Sequence, residues 1–499
     1  MTSSAAGRNV SVLARRHGWF PHSWFLGVFG LGTALRIVTM LGYRPALWFP
    51  DSYTYVVTAM RPRPDLVRPA GYSMFLRLFE PFHSFALVTF VQHLLGLLAG
   101  TMIYVTVLRW CGRSRRSVLA AAAATVPILL DAYQIEMEHL LVSDSLFTFL
   151  VVAAACLVLR RPPSTHRPST PAVVALGLIL AAATLTRTVG LPLIAVFAFF
   201  LVWYGLRGAG AVRRDAPRRV GAFALAALLP LAAYAGWFYA AHHRVGLVGS
   251  NGVFLYGRAM TFADCSIMRP TADLAVLCDP RPPAERPAMQ DYVWSDDSPL
   301  VRLPGITFTE ETDALAGRFA WLAIRSQPLD YAAGALTELG RTFSWQRHVY
   351  PDAETYGYYE FPATTPAPPD RHPAIVGKEF AERYERGSVA VRIAEPYAQW
   401  MRAYQRVASL PGALLLVVLA IPLLRLVRLV RLVRLMRRGA ARGSGVPWGL
   451  PWATAWVLLV VPAATAQFDY RYVLPATPLA CLAAALAMSP DDRRDQRNR

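Results

Sequence analysis

Charge is what this chain of 499 residues has least of: Asp, Glu, Lys and Arg make up 17% of it, against about a quarter in a typical soluble domain. With 55% hydrophobic residues, that shortage excludes an ordinary water-soluble enzyme and makes a bilayer the expected solvent. The sequence also lacks a glycine loop ahead of a lysine, a His-Glu-x-x-His zinc-protease pair and any CxxC. Without a nucleotide-binding motif, an activated group has to arrive by lipid, gradient or partner. No small-residue cleavage site follows the first apolar run, about Trp24 to Leu41, so that run reads as a retained helix.

Cysteine is scarce too, with five residues in two groups. Cys111, Cys156 and Cys481 lie in or beside apolar runs and behave there as small hydrophobes. Cys265 and Cys278 lie in a polar stretch. Either an oxidising exterior joins them as a disulfide, or they remain two thiols.

What is present is apolar sequence in long runs. They recur at about 24–42, 85–109, 117–134, 142–159, 171–187, 189–206, 220–240, 409–430, 447–465 and 473–489. The net charge of +19 gathers in short loops between them: Arg113, Arg115 and Arg116; Arg160, Arg161 and Arg167; Arg207 to Arg219; Arg425 to Arg442; and the tail from Arg493. Clusters so placed are a positive-inside signature rather than a groove for nucleic acid. They put both termini in the cytoplasm. The expected fold is an α-helical integral membrane protein of about ten transmembrane helices in the cell membrane. Residues 1–240 form an N-terminal membrane module with a first external loop at 43–84, whose part near 71–82 reads as an interfacial helix. Residues 241–408 are a mostly helical extracytoplasmic domain, 409–489 return as C-terminal membrane helices, and 490–499 are a cytoplasmic tail. The repeating Arg-Leu-Val from Arg425 to Arg438 reads as a helix leaving the membrane among anionic headgroups.

Polar residues concentrate on the external side. Asp51, next to the membrane surface, suits a general base toward an acceptor hydroxyl; following Pro50 at a helix start, it suits an N-cap equally. Asp131, Glu136, Glu138, His139 and Asp144 crowd one helix junction, where ionisable groups are expensive in apolar surroundings. Glu136 and His139, three apart, share a helix face and could bind a divalent ion, while Ser143 and Asp144 could cap the next helix. Arg187 falls at an external turn, where it could hold a lipid phosphate or simply snorkel to the interface. The last external loop offers Asp469, Arg471, Tyr470 and Tyr472 at the same depth.

The succession Arg36, Asp51-Ser-Tyr-Thr-Tyr55, Arg68-Pro-Ala-Gly71-Tyr72, Leu141-Val-Ser143-Asp144, Leu185-Thr186-Arg187 and Arg471-Tyr472-Val-Leu-Pro475 resembles the C-type glycosyltransferase superfamily. The likeness is closest to bacterial relatives of protein O-mannosyltransferases and lipid A aminoarabinose transferases. It implies a polyprenyl-phosphate sugar donor, an extracytoplasmic acceptor (glycan, lipid or protein) and inversion by a single displacement. On that resemblance Asp51 would be the base, and Arg187 and Arg471 would neutralise the phosphate. Tyr55, Arg68 and Tyr72 would shape the mouth, and Glu136, Glu138 or Asp144 would position the sugar or a metal. Mannosyltransferases carry an Asp-Glu pair where this chain has Asp51-Ser52. The competing reading is a lipid or solute transporter or flippase, which predicts charges near the bilayer midplane and a repeat between halves. A third is a cell-envelope scaffold with a degenerate site.

Overall fold

The structure is a computed structural model describing residues 22–160, 169–207, 214–368, 372–435 and 447–488. Arg15, Arg16, Arg161, Arg167, Arg213 and the tail lie outside the described residues, as do the side chains of the basic run beyond Arg425. Arg425 itself donates to the carbonyls of Leu486 (3.2 Å) and Ala487 (2.6 Å) at the end of the last helix.

Every apolar run forms helix. Among the described residues, five helices are long and apolar enough to cross a bilayer: Ser23–Gly42, Phe85–Cys111, Thr188–Leu206, Ala216–His242 and Tyr470–Met488. Four shorter apolar helices join them: Asp144–Val158, Thr170–Thr186, Gly412–Arg425 and Gly449–Thr465. Together they make an α-helical membrane protein, with a core running from Leu97 and Ile103 through Phe147 and Leu180 to Leu482. Exposed Leu26, Leu31, Leu225, Leu229 and Val417 point outward, as lipid contact requires.

One run departs from its expected form. Residues 117–134 do not make one straight helix: Arg115–Leu130 ends, the chain bends by 49°, and Ala132–His139 begins. The cause is local. Asp131 adopts extended backbone and caps the new helix, its Oδ1 accepting from the amides of Tyr133 (2.9 Å) and Gln134 (3.2 Å). Its Oδ2 accepts from the amide of Leu410 (2.7 Å), which ties the break to the start of the C-terminal helices.

The polar loop 43–84 carries two short helices, Pro50–Met60 and Gly71–Phe79, with a 3-10 turn at Glu80–Phe82. The second matches the expected interfacial helix, and exposed Leu78 and Phe82 give it an apolar outer face. Gly71 lets it lie directly on the chain before Arg187, because a Cβ there would collide with the carbonyl of Leu185.

Residues 241–408 are mostly helical, but they do two jobs. Asn251–Ala259 and Glu310–Ser326 enclose a separate small core around Tyr256, Phe319 and Ala320, stapled by the Cys265–Cys278 disulfide. The later part is woven into the membrane module instead. His372–Glu385 packs on Pro50–Met60, and Tyr397–Gln405 packs on Ser23–Gly42. A two-residue antiparallel ribbon pairs Tyr43 with Ile393 and Arg44 with Arg392. The start of the first polar loop is thus held by chain about 350 residues downstream.

Candidate functional site

Pro50 opens the Pro50–Met60 helix, its missing N–H and fixed φ suiting the first position. Phe49 is the N-cap residue, and Ser52 does the capping, its Oγ accepting from the Phe49 amide at 3.0 Å. Asp51 is therefore not the cap. Its carboxylate is released from helix duty and meets two arginines. Arg68 donates through Nη2 to Oδ1, and Arg471 through Nη1 to Oδ2 at 2.9 Å.

Both arginines are positioned by other carboxylates. Asp65 accepts from the amides of Val67 (2.8 Å) and Arg68 (2.9 Å), which folds that turn. Asp469 caps Tyr470–Val473 by accepting from the Arg471 amide (3.2 Å), and its Oδ2 lies 3.2 Å from Arg471 Nε. The Arg471 guanidinium lies 4.6 Å from the Phe49 ring centroid and 5.5 Å from that of Tyr472. Burial alone would raise the Asp51 carboxyl. The two guanidiniums override it and hold the group well below the usual carboxylate range, while Asp51 raises Arg68 in turn. As it stands, Asp51 is ionised but a weak base.

A second pair lies alongside. Arg187 follows the end of Thr170–Thr186 and pairs with Asp144, in the first turn of Asp144–Val158. Its guanidinium is 5.1 Å from the Tyr472 ring, so one phenol is flanked by Arg187 and Arg471. Tyr55 donates to Ser143 Oγ at 3.1 Å, linking the Asp51 helix to the residue before Asp144. Asp51, Arg68, Arg187, Arg471, Tyr472, Asp144 and Tyr55 thus form one constellation.

No family model and no curated protein matches the chain. Among solved structures it is similar to ArnT from Cupriavidus metallidurans. The crystal structure bound to undecaprenyl phosphate aligns at 15% identity and TM-score 0.33, over 94% of this chain and 77% of that one. The apo crystal structure aligns at 13% identity, with the same coverage and TM-score. Values this low carry neither the ligand nor the chemistry of that protein over to this one.

The remaining sequence candidates go elsewhere. Glu138 is fully buried and accepts from Arg36 Nε (2.7 Å), Arg36 Nη2 (2.8 Å), His93 Nδ1 (3.0 Å) and Gln134 Nε2 (3.0 Å). Arg36 also donates to the carbonyls of Gly32, Ile128 and Leu129, the last two left without helical partners by the break at Asp131. Tyr72 donates to Gln92, which in turn donates to the carbonyls of Glu138 and Leu140. Glu136 and His139 do not share a ligand position. Glu136 accepts from Gln405 Nε2 (2.7 Å), whereas His139 contacts His93 (3.2 Å) and the Tyr43 carbonyl (2.7 Å). Among the described residues no three His, Cys, Asp or Glu side chains gather as a metal site. The i,i+3 spacing places both on one short helix, but different neighbours take each of them.

Sequence reasoning misses two features. Asp65, and the part that Asp469 plays in holding the Arg471 backbone, go unread; a signal exists, since each stands two or three residues before its arginine in a turn-forming stretch. A cavity of about 640 Å³ opens beside Arg471, lined also by Tyr133, Arg347, Tyr359, Glu360 and Tyr470. Its size suits a small-molecule site. Chain segments far apart build it, and no local pattern announces it.

Proposed function

We propose that the protein is a membrane glycosyltransferase that moves a sugar from a polyprenyl phosphate to an acceptor outside the cytoplasm. The observation that carries this reading is the clustering of Asp51 and Arg68, from one loop, with Arg187 and Arg471, so that three distant segments meet at one polar site. A carboxylate beside several guanidiniums is what displacement of a phosphate requires: a proton acceptor and a sink for the charge of the leaving group. The face carrying 241–408 then lies outside, with the basic loops in the cytoplasm.

The acceptor hydroxyl enters by the cavity beside Arg471, and its oxygen attacks the anomeric carbon. A carbon–oxygen bond forms on one face as the bond to the phosphate oxygen breaks on the other, so configuration inverts. The bonding pair leaves with the phosphate, whose growing charge faces Arg471 and Arg187, and the hydroxyl proton passes to Asp51. Tyr55 and Tyr472 shape the cleft, and Asp144 orients Arg187.

The test is transfer from radiolabelled polyprenyl-phosphate sugars by purified protein in lipid, comparing wild type with Asp51→Asn. Transfer by wild type that collapses in Asp51→Asn is the expected result. Equal transfer by both removes Asp51 as the base. Labelled lipid crossing the bilayer without release of sugar would replace the reading with a flippase.

A further inference from the structure

In this structure the proposed base is fully engaged, because each Asp51 oxygen is bonded to a different arginine. Two anionic oxygens on one atom, bridging two guanidiniums, is the arrangement a phosphate would also adopt. We infer that Arg68 and Arg471 form the seat for the donor phosphate, and that Asp51 occupies this seat until the phosphate displaces it. This rests on the glycosyltransferase reading and adds to it a phosphate ligand, Arg68, and an exchange of partners that switches the base on.

Three features support the exchange. The backbone of the seat is fixed without Asp51: Asp65 accepts from the Arg68 amide and Asp469 from the Arg471 amide, and the Arg471 guanidinium also faces Asp469, Phe49 and Tyr472. The three groups are reachable: the side chains of Arg68, Arg471 and Asp51 keep 18%, 13% and 11% exposure, whereas Glu138 keeps none. The other arginine of the constellation, Arg187, already has Asp144 as its own counter-ion, and Asp51 caps no helix, since Ser52 serves the Phe49 amide, so Asp51 can leave its pair without freeing a helix end.

The charge sequence gives the exchange a direction. A sugar phosphodiester carries a single negative charge, so on binding it swaps evenly with a carboxylate. As the glycosidic bond breaks, the phosphate gains charge and becomes a monoester of about −1.5 to −2, which the arginine pair holds better than it holds Asp51. Asp51, relieved of both guanidiniums, regains the basicity of an ordinary carboxylate at the moment a hydroxyl proton has to be taken. Once protonated it no longer competes; after losing its proton to water it reclaims the arginines and helps expel the lipid phosphate.

The decisive measurement is equilibrium binding of undecaprenyl phosphate, and separately of inorganic phosphate, to purified protein in nanodiscs. Removing a competing carboxylate should tighten binding, so Asp51→Asn and Asp51→Ala are each expected to bind the lipid phosphate about tenfold more tightly than wild type. Arg68→Gln is expected to bind about tenfold more weakly. Thermal unfolding of each variant identifies any that is misfolded, and two Asp51 variants are carried for that reason. Unchanged or weaker binding by a folded Asp51 variant overturns the inference, as does unchanged binding by Arg68→Gln. Inorganic phosphate following the same order assigns the effect to the headgroup; an effect confined to the lipid overturns the seat as drawn. Because this readout needs no turnover, failure of transfer with tighter phosphate binding sinks the reaction and leaves the seat.

Discussion

Glu138 and Asp51 are both buried carboxylates held by arginine, yet Glu138 accepts four hydrogen bonds and Asp51 two. Glu138 has no exposure and packs so tightly that a Cβ on Gly96 would collide with its carboxylate. Its cation, Arg36, is committed at the same time to the carbonyls of a broken helix. Asp51 keeps some exposure, and the backbone amides of its two cations are held by Asp65 and Asp469 independently of Asp51. A saturated ion pair whose every donor is committed is scaffold. An ion pair with unused capacity and independent anchors can change partners. Ionisable residues inside a membrane protein invite a functional reading, and the tally of partners decides which of them merits it.

The comparison is most sharply tested by removing each carboxylate in turn. Asp51→Asn should lower transfer by about 10²–10⁴-fold while lowering the unfolding midpoint less than the Glu138 variants do, measured on the same preparation. Glu138→Ala or Arg36→Ala should do the reverse in kind, removing about 3–5 kcal/mol of stability by stranding a buried charge. A Glu138 variant that unfolds like wild type but loses transfer would erase the distinction between the two clusters.

A smaller effect is expected in the domain that holds neither cluster. Replacing both Cys265 and Cys278 by Ser opens a short covalent loop and should cost about 2–3 kcal/mol, localised to the core around Tyr256 and Phe319. Hydrogen exchange should report that loosening while donor binding stays unchanged. Loss of donor binding would mean that this subdomain supports the site.

The smallest effect concerns acid. The folded-state carboxyl of Asp51 lies below its unfolded value of about 3.9, so its stabilising contribution is complete above that pH and lost as pH falls through the folded value. Between about pH 7 and 5 the stability difference between wild type and Asp51→Asn should stay flat, narrowing only in stronger acid. A difference that closes near neutral pH would mean the arginines do not hold Asp51 in solution.

Much of the architecture is legible in the sequence. The ten apolar runs all form helix, the helix expected near 71–82 lies at Gly71–Phe79, and Cys265 and Cys278 are joined. Of the site, Asp51, Arg187 and Arg471 are legible as motif residues, but their partners are not. Asp51 and Arg471 are 420 residues apart, and nothing in either segment names the other. The acidic junction misleads for a related reason. Glu136, Glu138, His139 and Asp144 look equivalent in sequence, whereas packing sends Glu138 to Arg36, Asp144 to Arg187 and Glu136 to Gln405.

The sequence by itself determined what depends on neighbours along the chain: run length against bilayer thickness, the caps and prolines that start helices, and the loops that carry arginine. The tertiary structure alone decided which carboxylate is saturated and which is not. That depends on how many donors a fold brings within about 3 Å of each oxygen, a sum over segments that only meet once the helices have packed.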